Sequence, residues 1–233
     1  DRVCCMLPNS PEAIVAFLAT NSLGAIWTSC SPDFGIKSIL DRFSQIEPKV
    51  FISTNAYQYN GKIFSKIDDV KEITSSIPSI TNVLLVDYME GIETDLVSDS
   101  WEKIISGKEV ELDFERVDFN HPIWILFSSG TTGKPKAITH RTGGIILEHY
   151  KALAIHQNVS KNDNYFWFST TGWMMWNYAL SSMLMGGTLC IYNGSPVFPD
   201  NGALWRFSKK AKINHFGHGA GFYQNLFNDI PKE

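Results

Sequence analysis

Short apolar runs alternate with amphipathic stretches from the start of the chain. Val3 to Leu7 is a continuous apolar run of strand length. Ser10-Pro11-Glu12 then supplies a cap residue, a proline for the first helical position and an acid for the first turn. Ile14, Phe17 and Leu18 carry the helical spacing that follows, and Gly24 is placed to end that helix. The pattern goes on with a strand at Ala25 to Thr28 and an amphipathic helix on Ile36, Ile39, Leu40 and Phe43. A strand at Val50 to Ile52, a helix through Ile63, Ile67 and Val70, and a strand at Val83 to Val86 complete the series. Residues 88–121 break the alternation. They are dense in Asp, Glu and Ser, with Trp101, Ile104 and Ile105 as core-facing positions, and predict a connecting stretch with one short helix. Beyond it, strands are expected at Ile123 to Phe127, Tyr165 to Phe168, Thr188 to Tyr192 and Ile213 to Phe216. Helices are expected over 142–156, 174–186 and 202–212, with a last one running past Tyr223.

Strands alternating with helices of this length call for an α/β fold: doubly wound, mostly parallel sheets with helices on both faces. The breaks divide the chain into a first βα unit at 1–87, the connecting stretch at 88–121 and a second βα unit at 122–233, each unit incomplete at its outer end.

Composition narrows the function classes. Apolar residues make up 44% and charged residues 19% of the 233 positions, which is ordinary for a globular chain. The net charge of −4 argues against a nucleic-acid coat or a protein held to an anionic membrane. The longest apolar run, Ala13 to Ala19, falls well short of the roughly twenty residues a membrane span needs. Asp1-Arg2-Val3 has neither an initiating Met nor a basic-then-apolar leader, and reads as the interior of a longer protein. Cys4, Cys5, Cys30 and Cys190 sit in apolar settings with no C-x-x-C pair. They read as free thiols of a reducing compartment, the cytoplasm. His215 and His218 are spaced for a metal but have no Cys, Asp or Glu close by in sequence to complete a ligand set.

The chemistry concentrates in Ile125-Leu126-Phe127-Ser128-Ser129-Gly130-Thr131-Thr132-Gly133-Lys134-Pro135-Lys136. An apolar strand ends and gives way to a run made wholly of Ser, Gly and Thr, followed by two lysines around a proline. The glycines let successive N–H groups converge, the hydroxyls add donors, and the lysines add charge, which is what a polyphosphate requires. The spacing of Gly130 and Gly133, with proline after the first lysine, excludes a Walker A loop, and G-x-G-x-x-G is absent.

SSGTTGKPK resembles the phosphate-binding signature of the adenylate-forming superfamily, which includes acyl-CoA synthetases, luciferase and peptide-synthetase adenylation domains. Three further stretches are similar to the acetoacetyl-CoA synthetases within it: Thr171-Gly172-Trp173-Met174-Met175-Trp176-Asn177, Gly143-Gly144-Ile145-Ile146-Leu147-Glu148-His149 and Ser29-Cys30-Ser31-Pro32-Asp33-Phe34-Gly35. The resemblance implies part of the large N-terminal domain of an AMP-forming ligase. Such an enzyme converts acetoacetate and ATP to acetoacetyl-AMP and pyrophosphate, then uses CoA to release AMP. By the same resemblance, Ser128, Ser129, Gly130, Thr131, Thr132 and Gly133 wrap the ATP phosphates with Lys134 and Lys136 beside them, Lys136 in the less variable position; solvated surface lysines are the alternative for both. Thr131 or Thr132 is the expected contact to Mg²⁺. Trp173, Met174, Met175 and Asn177 are expected at the acyl pocket, where bulky side chains suit a short acid and the Asn177 amide a 3-keto oxygen; core packing is the alternative for each. Phe34, Gly35 and Arg42 are expected near the CoA nucleotide, with an exposed helical arginine as the alternative. His140 either helps to place the nucleotide or packs.

The chain departs from the resemblance at His215-Phe216-Gly217-His218-Gly219-Ala220-Gly221, where acetoacetyl-CoA synthetases usually carry Thr-Ser after the Phe-Gly. G-H-G-A-G imitates a nucleophile elbow, but His stands where that motif needs Ser, so a hydrolase is set aside. The adenine-binding and ribose-binding segments and the C-terminal domain with its lysine have no counterpart here. No catalytic residue is therefore assigned, and the chain alone is expected not to complete adenylation. Another short-chain acyl-CoA synthetase and a non-catalytic nucleotide- or pyrophosphate-binding module are the competing readings. No partner protein is implied.

Overall fold

The computed structural model describes residues 1–96, 98–107, 109–128 and 133–228. The first strand, β1 (Arg2–Met6), is followed by α1 (Pro11–Ser22), β2 (Ile26–Cys30), α2 (Ile36–Phe43) and β3 (Val50–Thr54). Next come β4 (Ala56–Tyr59), β5 (Lys62–Ser65), α3 (Ile67–Ser76), β6 (Asn82–Val86), β7 (Asp99–Ser100) and α4 (Trp101–Ile105). The remainder is β8 (Pro122–Phe127), β9 (Ala137–Arg141), α5 (Thr142–Tyr150), β10 (Asn164–Trp167), α6 (Met174–Leu180), β11 (Thr188–Leu189), α7 (Ala203–Ala211), β12 (His215–Gly217) and α8 (Ala220–Asn228). A π-helical turn, Lys151–His156, extends α5, and a 3₁₀ turn, Ser181–Met185, extends α6.

A seven-stranded sheet runs β7-β6-β3-β1-β2-β8-β9, parallel except for β9, which pairs antiparallel with β8. A three-stranded parallel sheet runs β11-β10-β12, and β4 and β5 form a separate hairpin. The side-chain period of two along β1 explains its unbroken apolar run. Val3, Cys5 and Leu7 enter one core with Phe17, Trp27, Trp124 and Trp176, while Cys4 and Met6 enter a second with Ile39, Phe43, Phe51 and Val70. Helix α1 covers the first face, and α2 and α3 cover the other. All four cysteines are free; those at 4, 5 and 30 are fully buried, and burial pushes the Cys30 thiol up to about 12.

Several sequence expectations are corrected. Ile63 lies on β5, 54% exposed, rather than in a helix, because Asn60 and Gly61 take φ of 49° and 75° and turn the chain back as a hairpin. Tyr57 and Phe64 stack across that hairpin at 5.4 Å. Strand β9 is present where no element was expected between the phosphate loop and α5. Of the core-facing trio in the connecting stretch, Trp101 is buried, while Ile104 and Ile105 are more than half exposed. Leu18 is also half exposed, so α1 faces its core chiefly with Ala13, Ala16 and Phe17. Thr188 to Tyr192 pairs as a strand only over Thr188–Leu189. Strands β8 and β9 join the edge of the first sheet, and the second sheet begins with β10. The sheet change thus falls between β9 and β10, because β8 pairs in parallel with β2 through Trp27 and Trp124.

Candidate functional site

In an open parallel α/β sheet, ligands bind beyond the carboxyl ends of the strands, where the loops converge. Here the ends of both sheets are tied together. The Ser29 hydroxyl at the end of β2 donates to the Thr171 carbonyl at 2.6 Å, and the Thr171 hydroxyl donates to the Leu7 carbonyl at 2.7 Å. The Trp176 indole N–H donates to Asn9 Oδ1 at 3.0 Å, and the Asn9 amide reaches the Tyr192 carbonyl at 3.3 Å. The loops after β1, β2, β10 and β11 therefore form one polar seam.

The phosphate-loop stretch joins β8 to β9. At its neck the Ser128 N–H donates to the Lys136 carbonyl at 3.0 Å, and the Lys136 N–H donates to the Ser128 hydroxyl at 3.3 Å. Ser129, Gly130, Thr131 and Thr132, on which the phosphate assignment mainly rests, lie outside the described residues. On the exit limb, Gly133, Lys134 and Lys136 are exposed. Helix α2 holds that limb. Lys134 Nζ lies 3.6 Å from Asp41 Oδ1, and Gln45, just past the helix, donates to the Pro135 carbonyl at 2.8 Å. Lys37, hydrogen bonded to Asp41 at 2.8 Å, holds the Asp41 carboxyl below its ordinary range, and Lys134 adds to the effect. Among the described residues, no carboxylate pairs with Lys136. His140 on β9 packs beside Trp124 at 6.0 Å, and burial lowers its pKa below the ordinary imidazole value.

The structure brings Phe34, Gly35, Arg42 and Trp173 to one place. The Phe34 and Trp173 rings meet edge to face at 6.4 Å, and the Arg42 guanidinium lies 5.1 Å from the centre of the Phe34 ring. Arg42 is oriented by donation to the Ser38 carbonyl at 2.7 Å and by a contact to the Ser38 hydroxyl. Gly172 makes the approach feasible, since a Cβ there would stand 2.8 Å from Phe34 Cζ and 3.0 Å from the Ser31 backbone nitrogen. The four acyl-pocket candidates do not share one face. Trp173 and Met174 are 56% and 52% exposed and Met175 is half-buried, whereas Asn177 is 1% exposed with neither amide atom partnered.

A crevice that the sequence did not reveal lies against the β4–β5 hairpin. Tyr59, Asn60, Tyr88, Tyr192, Asn193 and Phe198 line a cleft of about 450 Å³, and Asn193 donates to the Tyr88 hydroxyl at 2.8 Å. The β4–β5 hairpin forms one wall. Asn60-Gly61 between two aromatic-rich runs was the signal that could have found it. Among the described residues, no group of three or more His, Cys, Asp or Glu side chains gathers to hold a metal, and no helix is long and apolar enough to cross a membrane. His215 Nε2 lies 3.5 Å from Asp163, a carboxylate distant in sequence.

Comparison with known proteins gives a consistent picture. The sequence profile of the AMP-binding enzyme family matches residues 1–232. The chain is 43% identical over 231 residues to the acetoacetyl-coenzyme A synthetase of Rhizobium meliloti (strain 1021), covering 95% of this chain and 35% of that protein. It is 40% identical over 229 residues to the acetoacetyl-CoA synthetase of Gallus gallus, covering 94% and 34%. The solved acetoacetyl-CoA synthetase from Streptomyces lividans superposes with a TM-score of 0.93 at 42% identity, over 98% of this chain and 35% of that one. The chain thus spans about a third of the length of the relatives it matches.

Proposed function

The chain belongs to the AMP-binding enzyme family, and from that premise we propose that it forms part of an acid–CoA ligase acting on acetoacetate. In the first half-reaction a carboxylate oxygen of the acid bonds to the α-phosphorus of ATP, and the bond to pyrophosphate breaks. In the second, the CoA thiol bonds to the acyl carbon, AMP leaves, and the thiol proton passes to solvent. A carboxylate is a poor electrophile, so the first step exchanges a poor leaving group for AMP. The protein's task is to hold polyphosphate and acid in line and to stabilise charge on departing pyrophosphate.

The observation that carries this reading is the closed neck of the Ser/Gly/Thr loop at the carboxyl end of β8. Ser128 and Lys136 bond across the neck, and the exit limb leans on α2, the helix that also carries Arg42. Ser128 to Gly133 cradle the phosphates, and Lys136, without a carboxylate partner among the described residues, is the cation free to meet them. Lys134 stands beside them, balanced by Asp41. Mg²⁺, when bound, offsets charge on the polyphosphate; Thr131 or Thr132 is its proposed protein contact. Trp173 and Met174 stand at the mouth of the acyl site, with Met175 and Asn177 behind them. Phe34, Gly35 and Arg42 approach CoA, with Arg42 suited to a phosphate by its forked donors.

The test is acid-dependent ATP–pyrophosphate exchange by the full-length protein with acetoacetate, 3-hydroxybutyrate, propionate and acetate. The expected result is fastest exchange with acetoacetate. Faster exchange with propionate or acetate would reassign the acid, and no exchange with any acid would leave a binding module instead.

A further inference from the structure

His218 follows β12 directly, one residue beyond the Trp167–Gly217 pairing with β10. Its ring is clamped face to face between two phenyl rings, Phe168 at 4.6 Å and 3° and Phe222 at 4.1 Å and 16°, with Tyr223 edge-on at 6.4 Å. Both ring nitrogens are enclosed, and neither makes a well-formed hydrogen bond. Two residues past Phe168, the Thr170 hydroxyl is likewise enclosed and unpartnered. An enclosed polar atom left without a partner is costly, so native proteins seldom keep one except where something else supplies the bond. Here two such groups lie at the carboxyl ends of neighbouring parallel strands.

We propose that His218 is a specificity-determining residue, whose ring N–H donates to the 3-oxo oxygen of the acid substrate. The inference rests on the ligase reading above. The chemistry favours a ketone over a phosphate. Burial lowers the imidazole below its ordinary pKa, with the Gly219 backbone acting in the other direction, so near neutral pH the ring is an uncharged donor. Its ring neighbours are aromatic rather than cationic, and an uncharged donor between apolar walls suits a neutral carbonyl, whereas a phosphate needs charge and many N–H groups. Asn177, the sequence's candidate for the same oxygen, lies instead on the buried face of α6 beside Trp176. The stacked rings fix the imidazole plane, and a site built around a substrate oxygen penalises the analogue that lacks it.

The experiment compares kcat/KM for acetoacetate and for butyrate, with KM for ATP, in the full-length wild type, His218→Phe and His218→Gln. His218→Phe keeps the aromatic sandwich and removes the nitrogens. It is expected to lower kcat/KM for acetoacetate by about tenfold or more while butyrate and the KM for ATP stay within about twofold. His218→Gln restores an N–H donor and is expected to recover part of the preference. Equal losses on both acids, a rise in the KM for ATP alone, or no loss at all overturns the assignment while leaving the ligase reading intact. A wild type that activates no acid overturns both.

Discussion

His149 shows what a single buried side chain contributes to pH dependence. It is 5% exposed, its Nδ1 lies 2.6 Å from the Ser181 hydroxyl, and burial lowers its pKa to about 4. The folded protein therefore keeps the ring neutral where the unfolded chain, with an ordinary value near 6.5, takes up a proton. The unfolded state binds more protons across that interval, so the His149 contribution is complete above about pH 6.5 and is lost as pH falls toward about 4. Denaturant titrations of wild type and His149→Asn should show the wild-type advantage shrinking by about 1.4 kcal/mol per pH unit through that window. A constant difference between about pH 7 and about pH 4.5 would contradict the buried neutral state. Gly172→Ala places a methyl against Phe34 and the Ser31 backbone, and should cost about 1–3 kcal/mol in thermal or denaturant unfolding.

At the scale of elements, the apolar runs read from the sequence correspond to β1, β2, β3, β6, β8 and β10, and the helical spacing to α1, α2 and α5. What escaped reading was set by pairing rather than by burial. Strand β9 presents Ala137, Ile138, Thr139 and Arg141 to solvent, so its strandedness comes from hydrogen bonding to β8 and leaves little apolar signal. The β4–β5 hairpin did carry a turn signal in Asn60-Gly61, but Ile63, Ile67 and Val70 fall at helical spacing and mask it. Helix α2 is where one element serves two proposed sites, with Arg42 over Phe34 and Asp41 toward Lys134. Asp41→Asn combined with Gln45→Ala should raise the KM for ATP about two- to fivefold, with kcat and melting temperature little changed. An unchanged KM would remove α2 from the phosphate-loop account.

For the whole molecule, the decisive feature is how the two sheets meet. Trp176, from the helix after β10, packs on Phe17 at 5.9 Å and stacks on Trp27 at 6.2 Å, inside the core of the larger sheet. Its indole N–H is spent on Asn9 at the end of β1. Trp176→Ala should therefore cost about 3–5 kcal/mol and loosen both sheets together, seen as a lower cooperative unfolding midpoint. The T-G-W-M-M-W-N stretch carries the likeness to acetoacetyl-CoA synthetases and also joins the two sheets. The sequence showed the chemistry of that stretch but not its packing, because its partners Phe17 and Trp27 lie far away along the chain.

Acetoacetate-dependent ATP–pyrophosphate exchange by full-length Gly130→Val tests whether the stretch from Ser128 to Lys136 binds the phosphates of ATP. A valine there blocks close backbone approach, so exchange should fall by roughly a hundredfold or more while the unfolding midpoint stays at the wild-type value. Exchange at the wild-type rate would show that the turn does not hold the polyphosphate.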